Sequence, residues 1–270
     1  PLTIVARKKC TGVLDAKLKL LAFLKSHDIP YQIDDHPNTL SGLDLTQLPQ
    51  PVSLASVKQG LLVSIGGDGS LLRLIPQAVA NHIPIIGINL GQLGFLADLS
   101  MDDLSTLLRV INGHCIKDAR ALVDVTLVSN NTETPLGVGL NELCIQHEKP
   151  GRALAFSVTM QQRRFNYRAD GFIVATPTGS TAYALSSGGP VIIPDIDAHL
   201  LLPVCAHMLN VRPIISPARS PVTIQLDEKS NQTATLLLDG RVVGTLSNRD
   251  RVIISQEKQS VTLIHPESYD

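Results

Sequence analysis

The chain has 270 residues, of which 44% are hydrophobic and 17% are charged, and its formal net charge is -1. This length can bury a sizeable core in one large or two modest domains, and the balance excludes a disordered chain. The near-neutral charge and the 3% aromatic content, without tryptophan, argue against a nucleic-acid protein that depends on a basic surface or on base stacking.

The cysteines and histidines form no pattern that predicts a metal cluster or a disulfide framework. The eight histidines lack the spacing of a zinc site, and the cysteines are scattered without a Cys-x-x-Cys pair, at Cys10, Cys115, Cys144 and Cys205. Reduced thiols fit a cytosolic protein. No apolar stretch is long enough to cross a membrane, and the N-terminus lacks a signal-peptide pattern. We therefore predict a cytoplasmic protein with no membrane and no nucleic acid as partner.

The first part of the chain alternates predicted strands with predicted helices. Leu2–Ala6 reads as a short strand, and Asp15–His27 reads as a helix with leucines on one face and lysines on the other. Ile29–Ile33 is the next predicted strand. The polar, proline-bearing stretch Asp34–Val52 is predicted to be loop and short turns.

A compact strand–helix–strand unit follows. The strands Leu61–Ile65 and Ile83–Ile88 flank a predicted helix over Ser70–Asn81, and both strands are apolar without alternation. Such strands are typical of a parallel sheet that helices cover on both faces. Glycine-bearing loops follow both strands, the second over residues 89–95. Two such loops at neighbouring strand ends would form a crevice of the kind in which open α/β sheets bind ligands.

After a predicted helix over Asp102–Asn112, the apolar residues alternate with a period of two. This alternation begins at Val123, Phe156, Val222, Val252 and Val261. Together with turns such as Asp239-Gly240, it predicts an antiparallel β-rich region. We therefore predict an α/β domain with a mostly parallel sheet over residues 1–113, possibly rejoined by 257–270, and a β-rich domain over 114–256.

The glycine loop after the first of these parallel strands reads Gly66-Gly67-Asp68-Gly69-Ser70. Glycines let the backbone approach a bulky anion, and a helix N-terminus favours phosphate. An aspartate there would repel phosphate unless it binds a metal or accepts a proton, so the motif favours phosphoryl chemistry. It is neither a Walker loop nor a Gly-x-Gly-x-x-Gly fingerprint, which removes the main support for hydride transfer. A simple tight turn is the alternative.

A second motif, Thr176–Tyr183, follows the predicted apolar strand Gly171–Ala175 and is itself followed by Ser186–Pro190. Its hydroxyl groups could serve as helix caps, but capping needs only one. Their density favours a polar pocket for adenine, ribose and phosphate.

Two shorter pairs add polar groups. Asn141-Glu142 places a carboxylate beside a carboxamide, which can accept hydrogen bonds from a ribose diol and donate to its oxygens; an exposed turn is the alternative. Arg168 and Asp170 lead into the second motif, with a surface ion pair as the alternative.

In this order, the Gly66–Gly69 loop, Asn141-Glu142 and Thr176–Tyr183 closely resemble the signatures of the NAD kinase family. The first motif also resembles that of diacylglycerol and sphingosine kinases. The resemblance implies transfer of the γ-phosphoryl group of ATP, or in some members of polyphosphate, to the 2′-hydroxyl of the adenosine ribose of NAD. It also implies Mg2+ or another divalent metal, a β-rich domain that binds NAD, a homodimer or homotetramer, and a cytoplasmic location.

The resemblance assigns roles to individual residues. Asp68 matches the general base and is a possible metal contact. Phosphate contacts are implied for Gly66, Gly67, Gly69 and Arg73. Contacts with NAD are implied for Asn141, Glu142, Thr181, Ala182, Tyr183, Ala184, Leu185 and Ser186. Positions near the ligand of a neighbouring subunit are Arg152, Arg168 and Asp170. Arg241 departs from the family pattern, because glutamine often follows the glycine of that hairpin.

Three other functions stay open at this point. A lipid kinase would use the same glycine loop but would need an apolar substrate entry, against which the hydroxyl-rich second motif argues. A non-catalytic NAD or nucleotide sensor would gain nothing from Asp68. A structural module would carry the motifs by accident. The sequence leaves open the phosphate donor, the preference between NAD and NADH, control by NADP and the number of subunits.

Overall fold

The computed structural model describes residues 1–7, 12–91, 94–149, 151–208 and 210–268. Cys10 and the Gln92-Leu93 part of the second glycine loop lie outside these ranges. The chain divides into two compact units, one formed by Pro1–Ala119 with Val261–Asp270 and the other by Arg120–Ser260. Within the described ranges, no helix combines the length and the apolar character that crossing a membrane would need.

The first unit is built on a mostly parallel sheet. Its first six strands, in chain order, are β1 (Leu2–Val5), β2 (Tyr31–Ile33), β3 (Leu61–Gly66), β4 (Ile85–Asn89), β5 (Leu99–Ser100) and β6 (Cys115–Arg120). β2, β1, β3 and β4 lie side by side in that order and pair in parallel, and β5 pairs in parallel with the end of β4. β1, β3 and β4 are buried along nearly their whole length, which agrees with the lack of alternation in β3 and β4.

The helices of this unit are short. They are α1 (Val13–Ser26), α2 (Pro37–Leu40), α3 (Asp68–Leu72), α4 (Ile75–Asn81) and α5 (Leu104–Ile111). The prediction of one helix over Ser70–Asn81 is wrong, because α3 ends at Leu72 and α4 begins at Ile75. Pro76 explains the break: it lacks the N–H that would bond to the carbonyl of Leu72, and its ring would clash with that carbonyl.

The second unit contains two antiparallel sheets of six strands. Its strands are β7 (Val123–Ser129), β8 (Thr132–Gly139), β9 (Glu142–His147), β10 (Leu154–Met160), β11 (Arg163–Ala169), β12 (Gly171–Ala175), β13 (Ala198–Val204), β14 (Ile214–Pro217), β15 (Val222–Leu226), β16 (Thr233–Leu238), β17 (Arg241–Ser247) and β18 (Arg251–Gln256). The sheet orders are β11-β10-β15-β18-β7-β8 and β14-β13-β12-β9-β16-β17. Apolar residues of both sheets form one core, in which Phe156, Tyr167 and Phe172 contact one another. The unit also holds the one-turn helix α6 (Tyr183–Ser186).

The last strand, β19 (Val261–Pro266), belongs to the first unit and not to the antiparallel sheets. It lies beside β4 and runs parallel to it, with Leu263 opposite Ile85. The alternation of Val261 and Leu263 groups this segment with the antiparallel region, and that prediction is wrong because β19 pairs in parallel with β4. Ile264 and His265 are buried as well, so the strand does not alternate throughout. β6 follows β19 in the same sheet, so the structural boundary lies at Ala119, beyond the one predicted near Gly113. The predicted fold class, a mostly parallel α/β unit and an antiparallel β-rich unit, is confirmed.

Candidate active site

The first glycine loop makes a sharp turn between β3 and α3. Gly66 has a φ of +152°, and a Cβ there would overlap the side chain of Ser70. The N–H of Ser70 in turn donates to the carbonyl of Gly67 at 2.8 Å. Glycine at position 66 therefore allows the turn that places Asp68 at the first position of α3. Gly69 and Arg73 are exposed on the same short segment.

The loop that follows β4 holds the Asp68 carboxylate. Oδ1 accepts the N–H groups of Leu96 at 3.2 Å and Ala97 at 3.0 Å, and Oδ2 accepts that of Phe95 at 3.0 Å. The two loops adjoin because β3 and β4 are neighbours, with Gly66 opposite Asn89 in register. A carboxylate offers about four lone pairs, so Oδ2 keeps one for a further donor.

Two glycines shape the loop around this contact. A Cβ at Gly94 would lie 2.6 Å from Cγ of Asp68, and a Cβ at Gly87 would lie 2.7 Å from Cα of Ala97. Both distances are shorter than any side chain tolerates. The loop therefore packs on β4 at one side and against the carboxylate at the other, and any larger residue at position 94 would push that carboxylate away.

In the second unit, Asn141 and Glu142 are buried at the start of β9, so the alternative of an exposed turn is wrong. The carboxylate of Asp239 accepts the N–H groups of Leu140 and Asn141 at 2.8 Å and of Glu142 at 3.2 Å. Asp239 begins the predicted hairpin turn, in which it and Gly240 have φ values of 47° and 73°. The turn thus clamps the Asn141-Glu142 backbone.

The carboxyl group of Glu142 has an unusually high pKa. Burial, reinforced by the charge of Asp239, raises the pKa of Glu142 to about 8. Burial also raises the pKa of Asp239, but three backbone N–H groups and Arg241 favour its ionised form. Among the described residues, Oε2 of Glu142 and Nε of Arg241 are buried without hydrogen-bond partners. A pKa of about 8 favours the protonated form of Glu142 at neutral pH, and in that form it can donate a hydrogen bond to a ligand.

Three hydroxyl groups of the second motif form hydrogen bonds with backbone groups. Thr176 Oγ1 donates to the carbonyl of Leu140, and Ser180 Oγ donates to that of Pro177 and accepts the N–H of Ile192. Thr181 Oγ1 donates to the carbonyl of Thr178 at 3.1 Å. These three hydroxyls thus bond to backbone groups of the protein itself, and the polar pocket for a nucleotide stays a prediction.

The second motif packs directly on Asn141. The N–H of Thr176 donates to the Asn141 carbonyl at 2.9 Å, and a Cβ at Gly179 would lie 2.5 Å from the carbonyl carbon of Asn141. The structure thus brings Asn141-Glu142 and Thr176–Thr181 together within the second unit, although Asn141 and Thr176 are 35 positions apart along the chain.

The short helix α6 presents two large side chains to solvent. Tyr183 and Leu185 are each 44% exposed, and Ser186 is also exposed. Ala182, just before the helix, is half-buried. The side chain of Ala184 is fully buried in a cluster with Ile192 and Leu200, so only its backbone is left for the predicted contact with NAD.

Arg152 and Arg168 line one cavity of about 540 Å³ in the second unit. Lys149, His207 and one acidic residue, Glu148, line it as well, so basic side chains outnumber acidic ones in its lining. Asp170 lies 3.3 Å from Nε2 of His207. The alternative of an ion pair between Arg168 and Asp170 is therefore replaced by a contact between Asp170 and His207.

Comparison with known proteins assigns the chain to a family. Residues 48–115 match the model of the ATP-NAD kinase N-terminal domain, and residues 140–266 match that of the ATP-NAD kinase C-terminal domain. A protein named NAD kinase from Acidithiobacillus ferrooxidans is 36% identical over 98% of this chain and 90% of its own length. Another from Marinomonas sp. (strain MWYL1) is 33% identical over 99% and 92%. The chain belongs to the ATP-NAD kinase family.

A solved structure has the same fold. Yeast NADH kinase complexed with NADH superposes with a TM-score of 0.85, covering 98% of this chain and 82% of that chain at 20% identity. As a member of the ATP-NAD kinase family, the chain is a phosphotransferase.

For an ATP-NAD kinase, the described residues offer little to hold a metal by themselves. Among them, no group of three or more His, Cys, Asp or Glu side chains could hold a metal ion. Oδ2 of Asp68 keeps one lone pair. Mg2+ is usually held by one or two carboxylates together with substrate phosphates and water. The residues therefore fit a metal that arrives with a nucleotide better than one caged by the protein.

Two parts of the candidate site are not predicted by the sequence. The N–H groups of Phe95, Leu96 and Ala97 are backbone donors, so the residue types at these positions do not predict the contact. The available signal is Gly94, because a Cβ at that position would overlap Asp68. Asp239 was predicted only as a turn residue. Its acidic side chain was the available signal, but its partners lie almost 100 residues earlier in the chain.

Proposed function

We propose that this protein is a NAD kinase that transfers the γ-phosphoryl group of ATP to the 2′-hydroxyl of the adenosine ribose of NAD. One observation carries the proposal beyond family membership: three backbone N–H groups hold the Asp68 carboxylate, with one lone pair of Oδ2 left. Such a fixed acceptor beside a glycine loop suits a reaction in which a hydroxyl must lose its proton near a phosphate.

Asp68 acts on the attacking hydroxyl. A ribose hydroxyl is a poor nucleophile, so Oδ2 orients it and accepts its proton as its oxygen bonds to the γ-phosphorus of ATP. The bond between that phosphorus and the β–γ bridging oxygen breaks, and ADP leaves. Phosphoryl transfer depends mostly on positioning and on stabilisation of charge. The Gly66, Gly67 and Gly69 backbone and Arg73 would contact the phosphates. Mg2+ or another divalent metal, bound with the nucleotide, would neutralise part of their charge.

The second unit binds NAD in this proposal. Neutral Glu142 donates to a ribose oxygen, and Asn141 contacts the same ribose. Further contacts with NAD come from Thr181, Ala182, Tyr183, Leu185, Ser186 and Arg241, and from the backbone of Ala184. Arg152, Arg168 and Asp170 line or border a basic cavity, which suits the phosphates of a dinucleotide bound by a neighbouring subunit. The homo-oligomer, the cytoplasmic location and the use of polyphosphate stay predictions from the resemblance.

A direct assay tests the function. Purified protein is incubated with Mg2+, labelled ATP or polyphosphate, and NAD, NADH or diacylglycerol as acceptor. We expect labelled NADP from ATP and NAD and no labelled lipid. Binding of NAD in a calorimeter with no NADP from any donor or metal would instead support the sensor, and transfer to diacylglycerol would support the lipid kinase.

Tyr183 is expected to affect substrate binding more than the chemical step. Its exposed ring can stack on a base, which contributes about 1–3 kcal/mol. We expect Tyr183→Ala to raise the KM for NAD about tenfold or more and to change kcat much less. Tyr183→Phe, which keeps the ring, serves as the matched control and should stay close to the wild type. A lower kcat with an unchanged KM would contradict the assignment of Tyr183 to the NAD pocket.

A further inference from the structure

His265 is a buried side chain at the carboxyl end of β19 that the proposed mechanism does not use. β19 runs parallel to β4, so its carboxyl end lies at the same edge of the sheet as the loops that follow β3 and β4. Asp68 and the loop that holds it lie at that edge. His265 is therefore on the active-site side of the first unit.

His265 holds the carboxylate of Asp98. Nδ1 of the ring lies 3.0 Å from Oδ2 of Asp98, and Nε2 lies 3.5 Å from Oδ2 of Asp118. A carboxylate only accepts hydrogen bonds, so Nδ1 carries a proton and donates it to Asp98. The Asp98 side chain is only 9% exposed, and among the described residues its Oδ1 has no hydrogen-bond partner. His265 is thus the donor that keeps this carboxylate in place.

Asp98 is the next residue after the loop that holds Asp68. The N–H groups of Leu96 and Ala97 donate to Oδ1 of Asp68, and one peptide bond joins Ala97 to Asp98. Ala97 also packs closely on Gly87 of β4. A displacement of Asp98 would therefore be passed on to the Ala97 N–H, and an error of about 1 Å in a catalytic group can cost on the order of 100-fold in rate.

We propose that His265 is a positioning residue: by holding Asp98, it keeps the N–H groups of residues 95–97 aimed at the Asp68 carboxylate. The kinetic part of this inference rests on the proposed function, because it assumes that Asp68 acts in catalysis. The structural part does not, since it concerns only the order of the loop. The two parts are tested by separate measurements.

Two conservative variants separate positioning from packing. The amide nitrogen of asparagine can occupy the place of Nδ1, whereas that of glutamine reaches the place of Nε2. We expect His265→Gln to lower kcat about 10- to 100-fold with the KM for NAD changed less than about twofold. His265→Asn should restore kcat to within about threefold of the wild type. Equal loss in both variants, or wild-type kcat in the glutamine variant, would overturn the proposal.

Amide hydrogen exchange provides a measurement that does not depend on activity. We expect the backbone N–H groups of residues 95–97 to exchange about tenfold faster in His265→Gln than in the wild type or in His265→Asn. His199→Gln is the matched control, because His199 is an equally buried histidine in the other unit. It should leave both the exchange at 95–97 and kcat unchanged. Altered exchange without NADP formation by the wild type would support the loop contact and refute only the NAD kinase function.

A variant of the partner residue tests the proposal even if a His265 variant does not fold. Asp98→Ala removes the other partner of the same contact and should match His265→Gln in both kcat and exchange. The double variant Asp98→Ala/His265→Gln should be no slower than either single variant, because both act through one contact. Independent, multiplicative losses in kcat would show that the two residues act separately, and the proposal would fail.

Discussion

Asp68→Asn is expected to lower kcat by a factor of about 10² to 10⁴ while NAD still binds. An amide oxygen is a far weaker proton acceptor than a carboxylate. The structure adds a second reason. If the amide oxygen of the variant still accepts the N–H groups of Leu96 and Ala97, its amide nitrogen takes the place of Oδ2. That nitrogen is a donor, so it cannot accept the Phe95 N–H or the proton of the attacking hydroxyl. The variant therefore loses the acceptor that the reaction needs and about 1–3 kcal/mol of stability. Steady-state kinetics and calorimetric titration with NAD measure both parts.

Gly94→Ala separates the charge of Asp68 from its position. The added Cβ would overlap the carboxylate, which must move, but the charge stays. We expect kcat to fall about 10- to 100-fold, less than in Asp68→Asn, with NAD binding retained. A folded Asp68→Asn protein with nearly wild-type turnover would refute the role of this residue as base. A slow Asp68→Asn with a normal Gly94→Ala would show that the N–H contacts to the carboxylate do not matter.

The sequence predicted those parts of the fold that depend on neighbouring residues. β12 begins at Gly171 and ends at Ala175 as predicted, since its apolar run is bounded by polar residues. The Asp239-Gly240 turn was readable because two positive φ values need such residues. Pro76 also predicts a break, because proline lacks the N–H that a helix interior needs, and a single helix over 70–81 is not compatible with it.

What the sequence could not predict depends on partners that are distant along the chain. β19 pairs with β4, about 180 residues earlier, and its own alternation does not encode that partner. The same applies to the Asp239 clamp and to the N–H groups that hold Asp68. The candidate residues were thus found by type and order, but the hydrogen bonds that orient them required the structure. Glu142 illustrates this best, because its raised pKa comes from burial that no residue pattern shows.

Glu142 is expected to make the stability of the protein depend on pH. Its pKa rises from 4.5 to about 8 on folding, because burial disfavours the charged form. Between these pH values, the folded chain binds a proton that the unfolded chain has released. The free energy of unfolding therefore falls as the pH rises from about 4.5 to about 8 and changes no further above that. Each pKa unit corresponds to about 1.4 kcal/mol, so the loss is on the order of 3–5 kcal/mol.

Glu142→Gln should remove this dependence, because glutamine is uncharged at every pH. We expect the two proteins to have similar melting temperatures near pH 5 and the variant to melt about 5 to 10 °C higher near pH 9. Glu148→Gln, which removes an exposed carboxylate of the same unit, is the control and should follow the wild type. Parallel melting curves for wild type and Glu142→Gln from pH 5 to 9 would show that Glu142 is ionised in the folded protein.

The protonation state of Glu142 should also affect the affinity for NAD. If neutral Glu142 donates to a ribose oxygen, the affinity of the wild type falls above pH 8, since the ionised side chain cannot donate. Glu142→Gln keeps a donor in the same place, so its affinity should stay level across this range. Calorimetric titrations at pH 9 in buffers of different ionisation enthalpy should show proton uptake on binding in the wild type and none in the variant. Equal affinities at pH 7 and 9 in the wild type would show that NAD binding does not need the proton of Glu142. Glu142 would then act only as a hydrogen-bond acceptor.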